Sequence, residues 1–527
     1  MSDSAQPHTP SAGSSPAQPK KRVLIETYGC QMNEADTELM YGLLRKDGYE
    51  VTADQADADV VLLNTCAVRE KAEERIFGRL GWLKQLKRER PEVVIGVTGC
   101  MAERMREQIV ARTPYVDLVV GPDAYRRLPE LVGQLAHRGD AAAPLAEVDP
   151  LIDVRLDRTE MYEGAEVDRV PGVAGWISVQ RGCDKFCTFC IVPFVRGRER
   201  SLSPEEVVAQ AREMAAQGFR EVTLLGQTVS SYYERGADFA DLLSMVHEVE
   251  GLERIRFTSP YPTDFTPRLV ERMASLPKLG KSLHLPVQSG SDKVLKDMKR
   301  RYTRAKFLEI IRLVRAHLPG YTLSTDVIVG FPGETEEEFE ETMSLMAEVR
   351  FDQAFMFFYS EREGTLAARQ LPDDVPLEVK KRRLAELIAQ QERISREEQG
   401  RQVGAEHEVL VLSPTRRDPT QVMGRSSCFR TTIFPAHLPG HPEEPFCPGD
   451  VVRVRVERTT SHTSFGAPLA VVSRSPRGPE LARLSAEQDA KEREAKERAS
   501  REGLGPLLRA HAPRAPEGLT LHEGGAE

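Results

Sequence analysis

Three cysteines in Arg181-Gly182-Cys183-Asp184-Lys185-Phe186-Cys187-Thr188-Phe189-Cys190 stand in the spacing CxxxCxxC at the end of an apolar run. A loop of that length can bring three thiolates to three corners of an iron–sulfur cube and leave the fourth iron without a protein ligand. An iron left open in this way is free to chelate a small molecule. The same spacing also suits a zinc knuckle completed by a distant fourth ligand, or three cysteines that merely pack.

A second set of three cysteines is dispersed in sequence. Cys30 follows Tyr28-Gly29, Cys66 follows Asn64-Thr65, and Cys100 follows Thr98-Gly99. Each lies just beyond the carboxyl end of an expected strand, the edge at which open α/β sheets gather ligands. One such cysteine reads as a small buried hydrophobe. Three at equivalent strand ends read as the ligands of a second cluster with its own open iron.

The elements that must position these residues alternate. From Lys21 to Gly133, short β-branched runs (Arg22 to Thr27, Val60 to Asn64, Val93 to Thr98) alternate with helical stretches (Asn33 to Lys46, Arg69 to Arg88). That order predicts a doubly wound, flavodoxin-like parallel sheet over 21–133. Residues 134–170, with the run Ala141-Ala142-Ala143 and no sustained period, read as a connector that wraps rather than packs.

Residues 171–376 carry six strand and helix repeats, beginning at Trp176 to Gln180, the strand that delivers the Cys183 loop. Ser203-Pro204-Glu205-Glu206 opens the next helix as a capping box. Six repeats predict a partial (β/α)6 barrel, whose site belongs at the carboxyl rim of its strands. Gly226-Gln227, Gln288-Ser289-Gly290 and Gly330-Phe331-Pro332-Gly333-Glu334 fall on that rim. Glycine and proline also simply end strands; gathered on one rim, they point to a cofactor mouth.

Residues 377–403 form a charged helical linker, with Leu384, Leu387, Ile388 and Ile394 on one face. Short alternating strands over 404–473 predict a small antiparallel β-barrel. Arg425, Arg430, Arg453, Arg455 and Arg458 offer it a phosphate-facing surface, although acids in the same segment nearly cancel them. Cys428 and Cys447 read as packing residues. The Ser-, Pro- and Ala-rich leader 1–20 and the charged tail 474–527 read as disordered.

The chain has 527 residues, 40% hydrophobic and 29% charged, the balance of a soluble globular protein of several domains. No run is long and apolar enough to span a bilayer, and the leader has no apolar signal region, so a cytoplasmic location is expected. Eight cysteines without dense extracellular spacing suit a reducing compartment. A net charge of −9 gives no global attraction for nucleic acid, so any RNA contact must come from local patches.

The Cys183/Cys187/Cys190 segment resembles the signature of the radical S-adenosylmethionine (SAM) superfamily. The span Lys21 to Ser473 resembles the radical SAM methylthiotransferases, which join an N-terminal three-cysteine domain, a radical SAM barrel and a C-terminal TRAM domain. Gly29-Cys30-Gln31-Met32-Asn33-Glu34-Ala35-Asp36, Asn64-Thr65-Cys66-Ala67-Val68-Arg69-Glu70-Lys71-Ala72 and Cys187-Thr188-Phe189-Cys190-Ile191-Val192-Pro193 look like the MiaB branch, tRNA-2-methylthio-N6-dimethylallyladenosine synthase. Two places depart from it: Thr228 stands where the branch usually has asparagine, and Gly424-Arg425-Ser426-Ser427-Cys428 lacks the usual asparagine pattern.

This resemblance implies two 4Fe–4S clusters, one on Cys183, Cys187 and Cys190 and one on Cys30, Cys66 and Cys100. It implies SAM held near Phe189, Gly226, Gln227, Gln288, Gly330, Pro332, Gly333 and Glu334. The implied reaction places a methylthio group on C2 of N6-isopentenyladenosine beside the anticodon, through a 5′-deoxyadenosyl radical and two SAM molecules. The implied partners are a tRNA anticodon stem-loop and an electron donor such as flavodoxin or ferredoxin, with the enzyme a monomer. Alternatives are methylthiolation of threonylcarbamoyl-adenosine, RimO-type modification of a ribosomal protein, and a non-catalytic iron–sulfur RNA-binding protein.

Overall fold

The computed structural model describes residues 20–67, 70–138, 149–415 and 417–501. Its first layer is a six-stranded parallel sheet of β1 (Arg22–Tyr28), β2 (Glu50–Val51), β3 (Val60–Thr65), β4 (Val94–Gly99), β5 (Leu118–Val120) and β6 (Leu151–Asp153). The order β2-β1-β3-β4-β5-β6 is flavodoxin-like with one strand added. Every residue of β3 and β4 is buried, because helices cover both faces. One face packs on Leu39, Met40 and Leu44 of helix Gln31–Lys46, the other on Ile76, Leu80 and Leu83 of helix Glu70–Glu89.

The expected connector is partly a member of this layer. Helix Leu128–Arg138 runs past residue 133, and β6 pairs in parallel with β5 through Leu118↔Leu151. Tyr162 is buried beyond it, and its hydroxyl donates to the Pro122 carbonyl at 2.7 Å. Three residues and one tyrosine carried too little periodicity to be recognised. The run Ala141-Ala142-Ala143 lies outside the described residues, as do residues 1–19 of the leader.

The second layer begins with β7 (Ala174–Ser178), followed by a short ribbon of β8 (Gln180–Arg181) and β9 (Arg200–Ser201) that brackets the cysteine loop. Then come β10 (Glu221–Leu225), a small hairpin of β11 (Tyr233–Glu234) and β12 (Ala237–Asp238), and the strands β13 (Arg254–Phe257), β14 (Ser282–His284), β15 (Thr322–Val329) and β16 (Gln353–Phe358). Strands β7, β10 and β13 form one parallel sheet and β14, β15 and β16 another. A bridge between Ile255 and Leu279 joins them, so the six strands make the partial (β/α)6 barrel. Its helices pack outside around Leu242, Leu243, Phe307, Phe339 and Leu345.

The barrel floor is ionic. Glu221 accepts from Arg256 Nε at 2.9 Å, and Arg254 Nη1 donates to the Arg425 carbonyl at 2.8 Å. That contact docks a closed five-stranded barrel of TRAM type: β17 (Glu406–Pro414), β18 (Gln421–Ser426), β19 (Thr431–Pro435), β20 (Val451–Thr459) and β21 (Thr463–Ser473). Its seams are antiparallel except β19 against β21, which run parallel.

The expected phosphate-facing arginines divide. Arg425 and Arg430 are buried against the (β/α)6 barrel, Arg453 and Arg455 pair with Glu408 and Glu406, and Arg458 lies over the Phe465 ring. The tail departs from its expected disorder: Gly478–Arg501 is helical. Leu481 is buried with Val173, Leu410 and Val451, and Arg498 reaches Asp54 of the first domain at 2.8 Å. Residues 502–527 lie outside the described residues. Among the described residues no helix is long and apolar enough to cross a membrane.

Candidate active site

Cys183, Cys187 and Cys190 occupy the loop between β8 and the short helix Val192–Val195. The loop opens at Gly182, whose φ is +75° and whose Cβ, if present, would lie 2.0 Å from the Arg198 carbonyl oxygen, so only glycine fits. Thr188 fastens it, its N–H donating to the Met298 carbonyl at 3.1 Å and its hydroxyl to the Asp297 carbonyl at 2.9 Å. Cys183 Sγ lies 3.0 Å from Thr228 Oγ1, and Cys187 Sγ accepts from Arg300 Nη1 at 3.4 Å. Burial pushes the Cys190 thiol up to about 12 and raises the Cys183 thiol, with the Thr228 hydrogen bond working against burial at Cys183.

Cys30, Cys66 and Cys100 sit side by side on the other sheet. Tyr28 is in register with Thr65, and Thr65 with Gly99. Cys66 and Cys100 therefore leave adjacent strands at equal height, with Cys30 one strand further. Gly99, at φ +92°, could not carry a Cβ, which would lie 2.3 Å from the Thr65 carbonyl oxygen. Asn33 and Asn64 lock the strand ends: Asn33 Nδ2 donates to Asn64 Oδ1 at 3.0 Å, and Asn64 Nδ2 to the Asn33 carbonyl at 2.7 Å. A hydrogen bond with Cys66 holds the Cys30 thiol down at about 6, with the positive charge of Arg196 assisting against burial. Burial raises the Cys100 thiol, and Arg196 opposes it.

The two sets face each other. Cys100 and Ala67 pack in one apolar cluster with Ile191 and Val195, which directly follow Cys190. Met32 and Ala35 of the first helix pack on Trp176 and Leu225 of the barrel. Asp36, fully buried, accepts from Arg181 Nη2 and Arg196 Nη2, each at 2.7 Å. Sequence reading missed Asp36, Arg181, Arg196, Thr228 and Arg300. Asp36, Arg181 and Arg196 carried only the signal of lying near a cysteine motif, which a charged residue near any loop shares, and Thr228 and Arg300 lie near none.

The remaining expected site residues divide by role. Phe189 packs with Ile328 against Val294, Met298 and Phe331 at the barrel mouth. Gln227 Oε1 accepts the Gly182 N–H at 2.6 Å, and Gly226 lies against Gln180, so this turn supports the cysteine loop. Gln288, at φ +73°, bridges to β15: its N–H donates to the Asp326 carbonyl at 2.8 Å. Glu334 turns inward, accepting the Gly330 N–H at 2.5 Å and Arg383 Nη1 at 2.9 Å, and burial pushes its carboxyl up to about 7. Gly333 faces Asp374 and Lys293, and Pro332 is buried beside it.

Three thiolates in each set are the donors that a 4Fe–4S cube takes, one to each iron. Among the described residues no group of three or more His, Cys, Asp or Glu side chains is placed to hold a single metal ion. Nη1 of both Arg181 and Arg196 is buried without a hydrogen-bond partner.

Similarity to known proteins follows the same division. The radical SAM superfamily matches residues 177–346, and the family described as uncharacterized protein family UPF0004 matches residues 22–121. The tRNA-2-methylthio-N(6)-dimethylallyladenosine synthase of Prosthecochloris aestuarii is 46% identical over 85% of this chain and 98% of its own length. The one from Bordetella petrii is 46% identical over 79% of this chain and 86% of its own. Among solved structures, the radical S-adenosylmethionine methyltransferase TsrM from Kitasatospora setae aligns with a TM-score of 0.47 at 16% identity, covering 64% of this chain and 73% of that one. At these identities and coverages the chain belongs to the tRNA-2-methylthio-N(6)-dimethylallyladenosine synthase family of radical SAM proteins.

Proposed function

We propose that this enzyme transfers a methylthio group to C2 of N6-isopentenyladenosine beside the anticodon of tRNA. Cys183, Cys187 and Cys190 hold the 4Fe–4S cluster that works on SAM, and Cys30, Cys66 and Cys100 hold the second. When bound, these groups and SAM supply a 5′-deoxyadenosyl radical, able to break a C–H bond that acid–base chemistry leaves intact, and the sulfur and methyl that replace the hydrogen.

The protein's own part is position. Thr188, Gln227 and Gly182 hold the first cysteine loop in place. Phe189 closes the apolar side of the mouth, where Gly226, Gln288 and the turn from Gly330 to Gly333 line the rim for SAM, with Glu334 bracing that turn through the Gly330 N–H. The observation that carries this reading is the opposition of the two cysteine sets across Cys100, Ile191 and Val195, pinned by Asp36 between Arg181 and Arg196. A base delivered between the sheets meets both sets at once, and to arrive there it must leave its stack. The enzyme works in the cytoplasm as a monomer, with the anticodon stem-loop as substrate and a flavodoxin or ferredoxin as reductant.

Nucleoside mass spectrometry of total tRNA from cells with and without the gene tests this. Loss of the 2-methylthio form with accumulation of isopentenyladenosine is the expected outcome. An unchanged isopentenyladenosine pool, with loss of methylthiolated threonylcarbamoyl-adenosine or of a methylthiolated ribosomal protein, would move the substrate elsewhere.

A further inference from the structure

Arg196 follows the short helix Val192–Val195, yet its side chain reaches into the first domain. It is 4% exposed; Nε donates to Cys100 Sγ at 3.1 Å and Nη2 to Asp36 Oδ2 at 2.7 Å. Arg181 takes the other oxygen of Asp36 and lies over the Tyr162 ring, 4.7 Å from its centre. Two guanidiniums thus share one carboxylate, which alone does not balance them. Nη1 of each is buried with nothing to donate to. A buried cation with spare N–H groups is costly unless an anion or acceptor lies against it.

Of the Arg196 donors it is Nε, 3.1 Å from Cys100 Sγ, that reaches the second cysteine set. Net charge and hydrogen bonds to the sulfurs are what set the potential of an iron–sulfur cluster. The planar fork of arginine can serve a sulfur and a carboxylate at once, which a lysine ammonium does less well.

We propose that Arg196 is a positioning residue for the second cluster, donating to the Cys100 sulfur and raising the cluster's reduction potential, with Asp36 limiting that rise. This rests on the reading of Cys30, Cys66 and Cys100 as cluster ligands. Reduction adds negative charge, so the guanidinium favours the reduced form and Asp36 opposes it.

The test uses the full-length protein with Cys183, Cys187 and Cys190 replaced by alanine, reconstituted anaerobically with iron and sulfide. Iron content and a redox titration followed by electron paramagnetic resonance are the readouts. Arg196→Gln lowers the reduced-to-oxidised ratio at a fixed potential about tenfold, about 59 mV for a one-electron couple. Arg196→Lys lowers it less, and Asp36→Asn raises it. Opposite signs from two substitutions in one ion pair are not what a packing role produces. Potentials that stay unchanged at full iron loading, or move in the same direction for Arg196→Gln and Asp36→Asn, overturn the proposal. Should Arg196→Gln load no iron, Arg196→Lys and Asp36→Asn decide by the same signs. A parent protein that binds no cluster, or keeps it after Cys66→Ala, overturns the ligand reading instead.

Discussion

Thr228 Oγ1 lies 3.0 Å from Cys183 Sγ, and Gln227 beside it holds the N–H of Gly182, so one turn of β10 fixes the first cysteine of the loop through both sulfur and backbone. The threonine hydroxyl supplies the polar contact. Thr228→Val removes that contact while keeping the shape. A hydrogen bond to a charged sulfur is worth about 1.5–3 kcal/mol, so 5′-deoxyadenosine formation from SAM should slow about tenfold or more at unchanged iron content. Thr228→Ser should retain most of the rate. Equal rates for valine and wild type would show that the hydroxyl does not bear on the cluster.

The two cysteine sets lie on different sheets, and their losses should separate. Cys187→Ala removes the thiol to which Arg300 donates at 3.4 Å and should abolish SAM cleavage, read as 5′-deoxyadenosine. Cys66→Ala should leave SAM cleavage in place and eliminate methylthiolated nucleoside. Normal 5′-deoxyadenosine from the first variant, or methylthio product from the second, contradicts the division of labour.

The first domain contains a buried ion pair on which its sheet depends. Arg79 Nε donates to Glu26 Oε2 at 2.9 Å, both side chains are fully buried, and the Tyr28 hydroxyl adds a 2.6 Å bond to Glu26. Removing one partner leaves an uncompensated charge. Arg79→Met should therefore cost about 3–5 kcal/mol, seen as a lower denaturation midpoint, and adding Glu26→Gln should recover much of it. A double variant no more stable than Arg79→Met would mean that the arginine matters through its packing alone.

Sequence reading recovered what periodicity and spacing encode. β3 and β4 open with the apolar runs of residues 60–63 and 94–97, broken only at Gly96, and the cysteines after them mark the carboxyl edge of the sheet. The CxxxCxxC loop is local, so its three cysteines are legible together without the rest of the chain. What escaped were relations between distant residues. Asp36 reads as one more polar position on a helix until Arg181 and Arg196, about 150 residues away, are brought to it (145 and 160 by sequence separation). Glu334 reads as a rim residue but is spent on Gly330 and Arg383. Gly478–Arg501 is so charged that its composition suggests disorder; Leu481 anchors it with Val173, Leu410 and Val451, contacts that exist only after three parts of the chain have assembled.

Glu38 gives the first domain a pH dependence of definite sign. Its side chain is buried on helix Gln31–Lys46, and Oε2 has no hydrogen-bond partner. Burial pushes its carboxyl up to about 8, with the charge of Arg169 pulling partway back and Glu34 and Asp168 adding to the rise. The unfolded chain releases this proton near the ordinary value of 4.5. Between that value and 8 the folded state binds more protons, so stability is full below 4.5 and falls as pH rises toward 8. At about 1.36 kcal/mol per unit the fall is on the order of 4 kcal/mol. It is an upper figure for the benefit of Glu38→Gln, which also forfeits the attraction to Arg169. The variant should match wild type near pH 4.5 and exceed it in thermal midpoint at pH 8.5. Parallel pH profiles for the two proteins would place the charge of Glu38 in water, contrary to its burial.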